Sequence, residues 1–482
     1  QAFWLRRRAA PRNRVRASEP RRARPGDGRR RVPGAGRASN GRVGRGGGGA
    51  SAMFAGGGAG DAAWRLQLFT FGAGPHGELG IGRAEDTPRP EANAVALPEC
   101  ASGAPFGEVV LGTDHSLALV GGRVYRWGLL YAHATPRLRP KAGSPGTTTS
   151  AGAACVVPAP APLQEWSRRR ESDSTGGSGV DIGREELEEG AVDGAITSVA
   201  SGGSNSFMLT NQGEVFLFGS LRPPGGDPDR LRWIWGSRSR GPAMQVVRVA
   251  AGWRHALFLT RAGCVFALGD DEYGQCAGVG KGDAPVPLPT VELVTGIAAG
   301  ACHSVAWALD GAAFAWGHGG HGRLGLQTSQ HCKCPSKIQI DEPVSFASCG
   351  SNFSMFVTQQ GRSLWGCGGN QYGQLGLGAA LTSRSAPARL DLPRSGEVVV
   401  ALSCGVNYSL CLTRFAAERP VAWAWGCAAS GQCGRAAGEW VDAPPAPRRP
   451  LPEPLVDFLG PSPHWPLAVA AGRSHSAVLA QT

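Results

Sequence analysis

Lysine is nearly absent from this chain, with 4 residues in 482 against 45 arginines. Methionine (4) and tyrosine (5) are also scarce, and only 18% of residues are charged. Charge this sparse excludes a long helical coiled coil, whose flanks are charged along their length. No run of eighteen apolar residues occurs, so no membrane-spanning helix is predicted. The Gly-x-x-x-x-Gly-Lys-Ser/Thr phosphate loop is missing. No Ser/His/Asp set or carboxylate pair stands out, which argues against a hydrolase. No catalytic residue and no cofactor are assigned.

Glycine is abundant (73) and proline is common (36), which suits an all-β chain with many turns. The net charge of +12 is concentrated at one end. Residues 1–50 hold fifteen Arg against Glu19 and Asp27, a net of +13, so the remainder sums to −1. That near-neutral remainder offers no general electrostatic case for nucleic acid, which is expected as a partner only through the basic tail. A GC-rich coding sequence is a competing account of the Arg, Ala, Gly and Pro bias. The thirteen cysteines are odd in number and scattered, as expected of reduced, partly buried thiols in an intracellular protein.

Residues 1–60 read as a disordered Arg/Gly/Pro-rich tail. The first Met is Met53, so residues 1–52 are open to three readings: upstream sequence foreign to the natural protein, a mitochondrial leader, or a basic arm. Pro20, Pro25 and Pro33 break any long amphipathic helix there.

From residue 66 onward three phrases recur. The first is a glycine, two variable residues, then usually His-Ser. It occurs at Gly112 to His115, Gly202 to Asn205, Gly252 to His255 and Gly300 to His303. Three further copies are Gly350 to Phe353, Gly405 to Tyr408 and Gly472 to His475. The second is an apolar residue before glycine, assigned at Phe71, Trp127, Phe218, Leu268, Trp316, Trp365 and Trp425. The third is a Gly-Gln-Leu-Gly-like loop, as at Gly373 to Gly376, which is missing after Gly128 and Gly219. Between the first two phrases lies a hairpin signal such as Asp310-Gly311.

Spacings of 50, 48 and 50 residues between Gly202, Gly252, Gly300 and Gly350 mark a repeat architecture. The longer gap from Gly112 holds a flexible insertion at 132–193, and a second insertion spans 223–240. Seven copies of two phrases predict a seven-bladed β-propeller of four-stranded blades over residues 66–482. The chain enters on the second phrase and leaves on the first, so strands from both termini should close the last blade.

These phrases together resemble the family of the regulator of chromosome condensation, a seven-bladed propeller. The founding member is an exchange factor for the small GTPase Ran, so the resemblance implies a protein partner, with a Ran-type GTPase as the specific candidate. Non-catalytic scaffolds in chromatin, ubiquitin or trafficking complexes are the alternative. The implied compartment is cytoplasm or nucleus, or the mitochondrion if the basic segment is a leader; a monomer is expected.

Gly112, His115, Gly252, His255, Gly300, His303, Gly472 and His475 are read as structural, the histidines bonding neighbouring strands. The variable residues between them are the candidate partner-binding set: Asp114, Trp253, Arg254, Asn352, Asn407 and Arg473. Asp114 occupies the second variable slot, whereas an important aspartate of the founding exchange factor sits in the first. That factor's inserted β-wedge has no identifiable counterpart. The phrase Gly252-Trp-Arg-His255 also resembles the plant ultraviolet-B receptor, but that receptor clusters several such Trp and this chain has one. No metal site is expected; Cys332-Lys-Cys334 beside His331 is too tightly spaced for a structural zinc site.

Overall fold

A computed structural model describes residues 66–80, 93–97, 106–130, 155–162, 195–221, 231–236, 241–279, 284–377, 381–390, 396–434, 453–454 and 465–481, with breaks of one or two residues inside these spans. The proposed tail lies outside the described residues.

The strands form seven four-stranded antiparallel sheets. Numbered along the chain, blade I spans 106–162, blade II 196–235, blade III 246–287, blade IV 294–337, blade V 344–390 and blade VI 398–454. Blade VII takes its first two strands, Trp465–Ala471 and His475–Gln481, from one end of the chain. Its outer two, Leu66–Gly72 and Asn93–Val95, come from the other. Leu66 pairs with Gln481 and Gly72 with His475, so the ring is closed by strands from both termini. The chain is an all-β, seven-bladed propeller.

Blade IV shows why these residues make these strands. His303–Ala308 is apolar and buried almost throughout, with no alternation, because both faces of a blade pack on a neighbour. At its end Ala308 N–H donates to Ala312 O (2.9 Å), Ala312 N–H donates to Asp310 Oδ1 (2.9 Å), and Gly311 turns the chain at φ +82°. The outer strand Cys332–Lys337 is largely exposed and correspondingly polar. The hydrophobic clusters accordingly lie between blades. One joins Phe207 and Trp235 of blade II to Phe258 of blade III, and another joins Leu111 of blade I to Leu479 of blade VII.

The three sequence phrases meet in one joint between blades. The Gln275 carbonyl, in the third-phrase loop of blade III, accepts from Ser304 Oγ (2.8 Å) and Trp316 Nε1 (2.9 Å) of blade IV. The Gln374 carbonyl accepts likewise from Ser409 (2.9 Å) and Trp425 (2.9 Å), and the Glu78 carbonyl from Ser116 (2.8 Å) and Trp127 (2.7 Å). Indole donor, hydroxyl donor and loop acceptor therefore recur together.

Two details depart from the sequence reading. In blade V the second phrase is not Trp365-Gly366. Ser354 pairs with Cys367, as Ser304 pairs with Trp316, and Gly368 carries the positive φ (+110°) that Gly317 has (+102°). Cys367 Sγ replaces the indole as donor to Arg323 O (3.5 Å), while Trp365 Nε1 turns to Glu342 Oε2 (3.1 Å). The insertions are also narrower than their sequence limits. Cys155–Pro162, inside 132–193, is the fourth strand of blade I, and Arg232–Trp235, inside 223–240, is that of blade II. An edge strand tolerates proline on its unpaired side, so the Pro-rich Cys155–Pro162 segment pairs despite its composition.

Candidate functional site

Each first-phrase loop joins strands one and two of its blade, so all seven project on one face around the ring axis. The turn is closed by the backbone: Gly112 N–H donates to His115 O (2.8 Å), and Gly300 N–H to His303 O (2.9 Å). Loop is tied to loop as well. Thr113 N–H reaches Gly203 O (3.0 Å), Ser351 N–H reaches Val406 O (3.3 Å), and Arg473 N–H reaches Gly112 O (3.2 Å). The variable residues stand on a braced rim.

Beneath the rim the histidines link blade to blade, not strand to strand within one blade. His115 Nε2 lies 3.0 Å from Ser206 Oγ of blade II, and His255 Nε2 lies 3.0 Å from Ser304 Oγ of blade IV. His303 meets Ser354 of blade V (2.9 Å), and His475 meets Ser116 of blade I (3.1 Å). In blade VI, Tyr408 Oη accepts from Ser476 of blade VII (3.0 Å) and donates to His475 O (2.6 Å). Burial lowers the pKa of all four histidines, to about 4 for His255 and His475. They are buried, neutral braces between blades. Sequence reasoning missed their direction, yet a signal existed. Ala256 is the sole first-phrase copy without Ser, and the preceding blade carries Asn205 instead of His.

That exceptional junction holds the most exposed aromatic of the rim. Asn205 Nδ2 donates to Trp253 O (3.4 Å), and Trp253 remains 48% exposed. The indole lies across Gly203, whose φ of +56° and missing Cβ make room: a methyl there would overlap the Trp253 carbonyl. Trp253 Nε1 then donates to Thr113 Oγ1 of blade I (3.2 Å), bridging over blade II. Arg254 is 78% exposed and 3.8 Å from Asp270. Arg473 stands 3.9 Å from Asp114, whose side chain is only 16% exposed. Asn352 and Asn407 are half-buried, and their carbonyls accept Gly369 N–H (2.9 Å) and Cys427 N–H (2.9 Å). The structure thus joins Trp253 to Thr113 and Arg473 to Asp114.

Third-phrase loops flank the rim and bring in Arg323 and Tyr273, which the sequence did not single out. Arg323 donates to Ser351 O (2.9 Å) and Gly320 O (2.9 Å). Beside it Tyr273, His318 and His331 form a ring cluster, with centroids 4.4 Å apart for Tyr273–His318 and His318–His331. Burial and then Arg323 push His318 down to about 4. Cys332 Sγ lies 3.2 Å from Cys334 O and 3.1 Å from Ser336 Oγ. On the opposite side His76, Glu78 and Asp114 converge, with one potential ligand atom from each lying within 4.8 Å of the others. Burial is the main cause of a raised Glu78 pKa, and Asp114 adds to it. Among the described residues no helix is long and apolar enough to cross a membrane.

The family model for the RCC1-like domain matches residues 67–478. The chain is 28% identical over 239 residues to the mitochondrial RCC1 domain-containing protein RUG3 of Arabidopsis thaliana, covering 45% of this chain and 53% of RUG3. It is 28% identical over 270 residues to the probable E3 ubiquitin-protein ligase HERC6 of Homo sapiens, covering 52% of this chain and 25% of HERC6. The chain therefore spans about half of the one relative and a quarter of the other. Among solved structures, Prp20p of Saccharomyces cerevisiae, described with its binding to Gsp1p and histones, superposes with a TM-score of 0.63. Its identity is 20%, covering 87% of this chain and 92% of Prp20p, a likeness of fold.

Proposed function

The chain belongs to the RCC1-like domain family, and from that premise we propose that its first-phrase rim docks a protein partner. Trp253 carries this reading: an indole 48% exposed, yet braced by Asn205 and Thr113. A large aromatic already held in place loses little entropy on binding, and the neighbouring Arg254 adds a second residue type enriched at binding hot spots. Within this reading, nucleotide exchange on a small GTPase is the specific activity we propose to test first. It is supported by family membership and by the likeness to Prp20p, which binds Gsp1p. The shielding of Asp114 by Arg473 favours the second reading, an adaptor that docks without exchange.

The experiment measures release of labelled GDP from a panel of small GTPases, alongside affinity for whichever protein the chain captures in cells. Trp253→Ala should weaken capture about thirtyfold, the scale of a hot-spot truncation. Acceleration of GDP release that Asp114→Ala abolishes would support exchange. No acceleration on any GTPase, with capture still sensitive to Trp253→Ala, would leave the adaptor. Capture indifferent to Trp253→Ala would remove the rim as the docking face.

A further inference from the structure

The seven-fold repeat supplies its own control for the loop at Glu78. In three other blades this position is glutamine, and its side chain makes one conserved bond. Gln275 Oε1 accepts from Tyr273 N–H (2.9 Å), Gln374 Oε1 from Tyr372 N–H (2.9 Å), and Gln432 Oε1 from Ser430 N–H (2.8 Å). Glu78 Oε2 makes the same bond to His76 N–H (2.7 Å). A neutral amide suffices for that turn, so the charge on Glu78 serves no need of the fold.

The charge is also costly where it sits. The Glu78 side chain is 4% exposed, and Asp114, a second carboxylate, faces it. The second-slot residues beside the three glutamine loops are Cys302, Asn407 and Ser474, none of them acidic. Among the described third-phrase loops, only the one at the junction of blades VII and I sets two acids against each other. Burying one carboxylate beside another is unfavourable unless a positive charge compensates. Arg473 touches only the Asp114 side of the group, at 3.9 Å. His76 Nδ1 completes the group at 3.5 Å from Glu78 Oε1, and that nitrogen is shut off from solvent without a hydrogen-bond partner.

We propose that His76, Glu78 and Asp114 form a divalent-cation site at the rim. One imidazole nitrogen and two carboxylates suit zinc or manganese, and water would complete the coordination. Bonds of about 2.1 Å set tetrahedral ligands roughly 3.4 Å apart. The ligand atoms lie within 4.8 Å of one another, so small side-chain rotations bring them into range. The cation would neutralise the buried acid pair and give His76 Nδ1 its missing partner. It would also clamp the loop of blade VII to the rim of blade I.

The test uses the full chain, stripped with chelator and titrated separately with Zn²⁺ and Mn²⁺ by calorimetry and thermal melting. One cation should bind and raise Tm. Glu78→Gln, which installs the residue used by three other blades, should keep the fold and weaken that binding at least tenfold. It should also make the metal-free protein more stable than the metal-free wild type, because the carboxylate repulsion is gone. Asp114→Asn should weaken binding similarly. Equal affinity in wild type and Glu78→Gln, or no saturable binding of either ion to the wild type, would overturn the proposal. A Glu78→Gln variant less stable than metal-free wild type would also count against it, since the acid would then be structural.

Discussion

The histidine braces make the ring sensitive to acid, by an amount that can be worked out. An unfolded imidazole titrates near 6.5, whereas burial holds His255 and His475 at about 4. As pH falls below 6.5 the unfolded chain binds protons that the folded chain refuses, so stability is lost. The loss continues until the folded pKa near 4 and is absent above the unfolded value. At 1.36 kcal/mol per pH unit, each of these two groups costs about 2 kcal/mol at pH 5 and about 3 kcal/mol at pH 4. His115 and His303 are shifted in the same direction and add to it. A total beyond about 4 kcal/mol is a large share of a typical folding free energy of roughly 5–15 kcal/mol. The perturbation is His255→Phe, since Phe353 fills the same place in blade V. Ser304 would keep its bond to Gln275 O (2.8 Å). Urea unfolding followed by tryptophan fluorescence at pH 7.5 and pH 5.0 gives the readout. Wild type should lose several kcal/mol between the two, and the variant about 2 kcal/mol less. Equal losses in both proteins, or no loss in wild type, would refute buried neutral imidazoles as the cause.

Two further outcomes are expected. Gly203→Val places a branched side chain at φ +56° against the Trp253 carbonyl. It should cost about 1–3 kcal/mol, displace the indole and shift its fluorescence towards the solvent-exposed wavelength; an unchanged spectrum and melt would show that Trp253 does not depend on that space. Deleting 132–193 should lower Tm, because it removes Cys155–Pro162 from blade I. Shortening only 163–195 to six residues, the length of the 338–343 connector after blade IV, should leave a single cooperative melt. A lower melt for the shortened connector would assign that segment a structural role.

How much was legible in the sequence depended on range. Blade number and mode of closure could be read because each blade repeats the same local demands: a glycine turn, an apolar strand buried on both faces, and a glycine after the strand. The joint between blades could not, because its partners are far apart in sequence. His115 and Ser206 are separated by 91 residues, and Ser116 and His475 by 359. Blade V shows the same limit within one strand. Trp365-Gly366 satisfies the local pattern better than Cys367-Gly368, but pairing with Phe353 and Ser354 selects the latter.

The candidate site divides along the same line. Sequence singled out Trp253, Arg254, Asp114 and Arg473 because they vary inside an otherwise constant phrase. It did not find Glu78 or His76, since a Glu for Gln change in a repeat loop is unremarkable until its neighbour is known. Local periodicity and turn chemistry by themselves determined that this chain is a seven-bladed ring. Only the closed tertiary structure decided which blade's side chains meet. A propeller buries its strands between neighbours, so those contacts are set by ring geometry and not by proximity along the chain. That geometry lays Trp253 over Gly203 and sets Glu78 against Asp114.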